Sequence, residues 1–280
     1  MSSSCEKLNG SSSTSELGCI SDQIALGTTS GSIVLYSVKT SEVKTTHDKA
    51  HSDRINGIAW ADSGLEVFTC SSDGCVGRLS LKKSSFSKFR PEGLASKKRQ
   101  GLFSLALHPS QSSALVGTTA KVLWIDLDTK STLGSFTAHL HGDVFTLQVF
   151  GGATTPHVII GGVGDKDRVV SVWKLEAASD GQDCNVDDDR APAAIFDTND
   201  SVKSAFAAAD SPGRSDGDWI LGAVTKSGVL HCFRFNVDDP ATRRKKRGGK
   251  PIKPKSTIQV IQQEEKIMYD ILNILLPGCK

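Results

Sequence analysis

The side chains with the clearest capacity for chemistry crowd into one stretch, KAHSDRINGIAWADSGLEVFTCSSDG. His51 precedes an apolar run, Asp73 occupies the turn SSDG, and Thr69 and Ser71 end the run before that turn. A histidine, a carboxylate and a hydroxyl are the parts of a proton relay. No G-x-S-x-G elbow presents a serine nucleophile, and in GTTSG Ser30 comes one place late. His47, His51, His139 and His141 are further candidates as metal ligands, but no CxxC and no Cys/His quartet has zinc spacing. Gly162-x-Gly164 follows the run HVII, yet Asp167 stands where a dinucleotide fingerprint needs its third glycine, and a strand pattern follows. GGVGDKD therefore reads as a turn. Neither catalytic residues nor a metal, cofactor or small-molecule substrate is expected.

The strongest local signal is electrostatic. Arg243, Arg244, Lys245, Lys246 and Arg247 are consecutive, and Lys250 follows. Such a run repels itself and stays solvated, so it belongs in an exposed loop. Its readings are a nuclear or nucleolar address, an arm contacting RNA phosphates, or a solvated loop; the address is preferred. No aromatic platform of the RNA-recognition type accompanies it. A second basic stretch, residues 82–100, reads as a loop joining two units. There Phe86 and Phe89 lie among Lys82, Lys83, Lys88 and Arg90. Such rings can stack on unpaired bases, but pinning the loop to the sheet is the favoured role.

The net charge of +2 hides an asymmetry. Residues 243–255 hold eight of the 33 basic residues, leaving 25 against 31 acidic ones, a body of about −6 with a basic appendage. The seven scattered cysteines read as reduced thiols rather than a disulfide framework. The Ser-rich start has neither the basic nor the apolar region of a secretory signal, and no apolar run reaches spanning length. No membrane partner is expected.

The elements that must position these groups are short strands. Five runs, 32–38, 75–81, 121–127, 169–175 and 229–235, each follow a small turn and an earlier apolar run. Apolar residues alternate within them, as half-buried strands require. Tyr36, Leu79, Trp124, Trp173 and Phe233 recur at 43, 45, 49 and 60 residues. Three further runs, 54–60, 101–109 and 143–150, fit inner strands. No segment before Asn236 reads as a capped helix. A four-strand unit repeating at roughly 40–45 residues is the signature of a WD40-type β-propeller.

WD-repeat units resemble this pattern in detail. They carry a loop His, a strand Ser or Thr, a turn Asp and a Trp on the third strand. His51, Ser71 or Thr69, and Asp73 match the first three in one unit, where Leu79 replaces the Trp. Trp124 matches in the next unit, without a turn Asp. Trp173 matches in the one after, with Asp165 or Asp167 in the turn and His139 or His141 before the inner strand. The order IALGTTSGSIVLYS, HSDRINGIAW, SSDGCVGRLSL, KVLWIDLDTK, SFTAHLHGDVFTL and DKDRVVSVWKL resembles the family of the nucleolar WD-repeat protein forty-three. These are WD40 subunits of the transcription-linked subcomplex of the small-subunit processome.

The resemblance covers roughly residues 23–236. It implies a non-enzymatic scaffold acting in 18S pre-rRNA processing and in ribosomal gene transcription by RNA polymerase I. It further implies a nuclear, nucleolar location, other processome WD-repeat subunits as partners, and pre-rRNA or snoRNP contact, direct or indirect. The competing class is a WD-repeat adaptor in another complex, such as a ubiquitin ligase.

The expected fold is thus all-β, a propeller of about five recognisable units. Residues 1–22 are expected to be disordered, 23–236 to form the repeats, 237–256 a basic loop, and 257–280 a tail with a partial strand or short helix. The resemblance implies blade material before residue 23 and a helical domain after the propeller, so the repeats are expected to be an incomplete propeller, either a fragment or a divergent short form.

Overall fold

Short turns between alternating runs leave antiparallel pairing of neighbours as the geometry within reach. The computed structural model describes residues 17–20, 22–94, 100–119, 121–137, 142–151, 156–163, 168–175, 192–209, 218–236 and 256–259. These residues hold twenty strands and no helix. The first sheet is β1 (Leu17–Ile20), β2 (Gln23–Gly27), β3 (Ile33–Ser37) and β4 (Glu42–His47). The second is β5 (Ile55–Trp60), β6 (Glu66–Ser71), β7 (Val76–Ser80) and β8 (Ser85–Phe89). The third is β9 (Ser104–Leu107), β10 (Ser113–Gly117), β11 (Lys121–Asp126) and β12 (Thr132–Thr137). The fourth is β13 (Asp143–Phe150), β14 (His157–Val163), β15 (Val169–Lys174) and β16 (Ala194–Asp197). The fifth is β17 (Val202–Ala209), β18 (Asp218–Thr225), β19 (Val229–Asn236) and β20 (Ser256–Gln259).

Each sheet is an antiparallel meander with its strands in chain order. Each packs on the next. One apolar layer joins Ala25, Ile33 and Leu35 of the first sheet to Ile55 and Ile58 of the second. Phe68 and Cys70 of the second meet Leu105 and Leu123 of the third. Trp124 meets Val144 and Leu147, and Ile159 and Val172 meet Ala205 and Phe233. Polar side chains tie successive first strands together. Asn56 Nδ2 donates to the Leu102 carbonyl at 2.7 Å, just ahead of β9, and Ser104 Oγ donates to the Val144 carbonyl at 2.6 Å. Gln148 both donates to and accepts from the Ala207 backbone. This is an all-β array of four-stranded antiparallel sheets consistent with WD40 blades. Among the described residues no packing of similar extent joins the fifth sheet to the first.

Three sequence expectations shift. Leu17–Ile20, inside the segment expected to be disordered, is a strand paired with β2; four apolar-leaning residues are masked there by the serines before them. The stretch 82–100 is not simply a loop, because Ser85–Phe89 is the outer strand of the second sheet. Phe86 lies opposite Leu79 and packs on the first core layer, which draws this charged run onto the sheet. Of the run 256–262, the described residues Ser256–Gln259 form a strand paired with β19, so the strand begins within the expected basic loop by one residue. The remainder of the tail and the basic cluster Arg243, Arg244, Lys245, Lys246, Arg247 and Lys250 lie outside the described residues.

Candidate functional site

The site grows from a turn that only glycine can make. Gly31, between β2 and β3, has a φ of +83°, and a Cβ there would strike the His51 carbonyl oxygen. Its own carbonyl accepts the His51 N–H at 2.9 Å. The loop after β4 is thereby anchored to the first sheet, and the His51 side chain is delivered into the second. A carboxylate can only accept, so Nδ1 carries the hydrogen and donates to Asp73, with both oxygens at 3.1 Å. Nε2 then accepts from the Thr69 hydroxyl at 2.8 Å. Phe86 meets the imidazole edge-on at 5.6 Å between centroids.

Gly77, opposite Thr69 on β7, leaves the slot open. A Cβ there would sit 2.5 Å from Thr69 Oγ1 and 2.6 Å from the Phe86 ring. Asp73 also accepts the Ser52 N–H at 3.0 Å and the Cys75 N–H at 2.9 Å, and Lys88 Nζ lies 3.3 Å away. Burial by itself would raise the Asp73 carboxyl. The Ser52 hydrogen bond, the His51 charge and the Cys75 hydrogen bond outweigh it and bring the carboxyl down to about 2. Burial dominates at His51 and lowers its pKa, against the pull of Asp73, so the ring is neutral at pH 7 and takes up the charge felt by Asp73 only in acid. His51 and Thr69 are fully buried. No substrate reaches such a relay, and its chemistry is that of a permanent clasp between loop, strand and turn.

The hydroxyl of this clasp is Thr69 and not Ser71. Both hydroxyls lie on one face of β6, and depth along the strand decides: Thr69 stands one pleat further in, where it meets His51 Nε2, whereas Ser71 ends the strand beside the turn. Ser71 Oγ instead donates to the Asp53 carbonyl at 3.1 Å and accepts the Asp73 N–H at 3.0 Å, so it shapes the turn that carries the acid.

The other sheets keep fragments of the set. In the third, the Trp124 indole donates to Ser113 Oγ on β10 at 2.9 Å. In place of a turn acid, Thr119 there donates to the Asp143 carboxylate of the following sheet at 2.7 Å. In the fourth, the Trp173 indole donates to Ser171 on its own strand at 2.9 Å. The histidines 139 and 141 and the aspartates 165 and 167 expected to serve this sheet lie outside the described residues.

The fifth sheet exchanges the roles. Asp200, in the loop before β17, accepts the Ser227 N–H of the β18–β19 turn at 2.8 Å, so the acid sits on the loop. His231 on β19 pairs across from Ala223, in the register that sets Gly77 opposite Thr69. A strand-borne imidazole thus stands at the position that Gly77 holds in the second sheet. Burial lowers the His231 pKa, with Asp197 and Asp200 opposing. Sequence reasoning passed over Asp200, His231, Gly77 and Ser113. The likeness of TKSG to SSDG was the available signal for the fifth sheet.

Phe86 and Phe89 are each half-buried. Phe86 packs on His51, and Phe89 packs on the layer between the second and third sheets. Among the described residues no group of three or more His, Cys, Asp or Glu is disposed to hold a metal ion.

No family model matches the chain. It is 31% identical over 173 residues to WD repeat-containing protein 43 of Homo sapiens. This similarity supports membership of the WD-repeat family. The match takes in 56% of the chain and 24% of that protein, so the chain spans about a quarter of the length of the curated relative it matches.

Proposed function

We propose that the chain is a non-enzymatic WD-repeat scaffold of the nucleolar small-subunit processome, acting in 18S pre-rRNA processing and in transcription of the ribosomal genes by RNA polymerase I. The observation that carries this reading is the 31% identity to WD repeat-containing protein 43. The strings IALGTTSGSIVLYS and HSDRINGIAW add to it through their family resemblance. The geometry agrees with a scaffold. Its polar network is buried and spent on holding loops to sheets, and what remains outside is sheet rim and loop, the material of partner surfaces. The partners under this proposal are other processome WD-repeat subunits, with pre-rRNA or snoRNP contacted directly or through them. Arg243, Arg244, Lys245, Lys246, Arg247 and Lys250 form the nucleolar address, or a phosphate-contacting arm.

Isolation of the tagged full chain from cells tests the proposal. Processome WD-repeat subunits and 18S precursor RNA should come with it, and a fluorescent fusion should collect in nucleoli. Isolation with ubiquitin-ligase components, without precursor RNA, would replace this reading with that of an adaptor.

A further inference from the structure

Beside the clasp an open groove of about 460 Å³ separates the first and second sheets at their outer rim. One wall is the chain leaving β4, from Thr46 to Ala50, and the other is Phe86, Ser87 and Lys88 of β8. The groove has an apolar floor, because Ala50 and the half-buried Phe86 belong to the first core layer. Cations stand at its mouth. Lys49 is exposed and holds a left-handed backbone, φ +53°, with its N–H donating to Ser32 Oγ at 3.4 Å. That conformation is uncommon for a residue with a side chain, and it fixes where the lysine starts. Across the groove, Lys88 Nζ lies 3.3 Å from Asp73, with its side chain 36% exposed against 5% for the acid. Asp73 is already served by His51, Ser52 and Cys75. An ammonium has three hydrogens, so Lys88 serves a ligand while it touches Asp73. Asp48 is the one acid in the lining.

The strand beside the groove is an edge. β8 closes its sheet, and no described strand pairs with its outer side. A free edge is a template for an extended chain. β8 also differs from the other outer strands in charge. β4 carries an acid as well as a base, β16 an acid, and β12 and β20 no charged residue. From Lys82 to Arg90 there are four cations and no acid.

We infer that this groove binds an extended acidic peptide, which adds a strand to the edge of β8. Phe86 and Lys88 are two apart on β8 and share a face. The bound chain therefore offers two residues at the same spacing, an aliphatic side chain against Phe86 and a carboxylate between Lys88 and Lys49. Main-chain hydrogen bonds give such a complex its affinity, and the alternate side chains give it selectivity. Unpaired RNA suits the groove less. The Phe86 ring is engaged by His51 and lies where a Cβ at Gly77 would stand, so it is no open platform for a base.

Fluorescence polarisation with the full chain and a short labelled peptide of alternating Val and Glu tests this. The peptide should bind, and Lys49→Glu should weaken binding by about tenfold or more. Lys39→Glu makes the same change of charge in the β3–β4 turn, at the far end of β4, and should weaken it less than about twofold. Circular dichroism of both variants should match the parent. A peptide with Gln in place of Glu should bind about tenfold more weakly or worse. Methylating either the valine or the glutamate backbone nitrogens should weaken binding for one of the two sets, the one facing β8. Equal binding of the Glu and Gln peptides, equal effects of the two substitutions, or indifference to both methylations overturns the inference. An oligouridylate that binds more tightly than the peptide and is lost with Lys49→Glu overturns it too, and gives the groove to RNA.

Discussion

His51 and Asp73 stand 22 residues apart in the chain, yet the imidazole Nδ1 lies 3.1 Å from both oxygens of the carboxylate. The pair spans a sheet boundary. His51 arrives on a loop whose backbone is held by Gly31 of the first sheet, and Asp73 sits in a turn of the second. Whatever loosens the pair loosens the seam between the two sheets.

Asp73→Ala should therefore destabilise the protein far beyond a surface change. It strands the His51 Nδ1–H in a buried site and removes the acceptor of the Ser52 and Cys75 N–H groups. A loss of about 2–4 kcal/mol is expected. Thr69→Val, which keeps the volume and removes one hydroxyl, should cost about 1 kcal/mol. Urea denaturation of both variants and of the double variant measures this. Losses in the double variant that merely add would show that the three groups do not act as one network.

Acid should weaken the fold in two stages. His51 is held neutral below its ordinary value of 6.5, so the unfolded chain takes up a proton that the folded one resists, and stability declines as pH falls below 6.5. The Asp73 carboxyl, at about 2 against an ordinary 3.8, contributes stability above pH 4 that is lost as pH falls toward 2. That second stage amounts to about 2 kcal/mol. Urea midpoints measured from pH 7 to pH 3 should fall throughout, and Asp73→Asn should flatten the lower stage. A midpoint that rises on acidification would contradict the assigned protonation states.

Gly77→Ala is a one-carbon test of the slot. The new Cβ would crowd Thr69 Oγ1 and the Phe86 ring. The expected cost is about 1–3 kcal/mol, characteristic of overpacking. Adding Phe86→Leu, which withdraws the ring, should recover part of it. Thermal unfolding of the single and double variants would reveal an additive loss if the slot were roomier than described.

Replacing Arg243, Arg244, Lys245, Lys246 and Arg247 together with Ala should leave thermal stability within about 0.5 kcal/mol, since solvated charges of one sign stabilise little. Nucleolar accumulation of a fluorescent fusion should fall. If the run engages phosphates, the salt dependence of binding to ribosomal precursor RNA should also become shallower, by about one unit for every phosphate no longer neutralised. Unchanged location and unchanged slope would leave the run a solvated loop.

The sequence by itself settled what depends on neighbours along the chain. Small turns between alternating runs named the strand pairs around 23–37, 66–80, 113–126, 157–174 and 218–236, and the five recurrent anchors marked the repeat. It also placed His51 and Asp73 in the loop and the turn that now join. It did not disclose the outer strands Glu42–His47 and Thr132–Thr137. The first shows no apolar alternation, being exposed or half-exposed along its length, and only the hydrogen-bonding edge of the inner strands makes it a strand. Nor could it choose Thr69 over Ser71, because both are hydroxyls on one face at the end of one run; the choice follows from how far along β6 the His51 ring reaches. His231 is the clearest case. As a residue it is one histidine in an apolar strand, and its kinship with His51 exists only because pairing sets it opposite Ala223, in the register of Gly77 opposite Thr69. Periodicity is a one-dimensional property and survives in the sequence. The volume left between two sheets is filled from whichever element reaches it, and only the tertiary structure decides which one does.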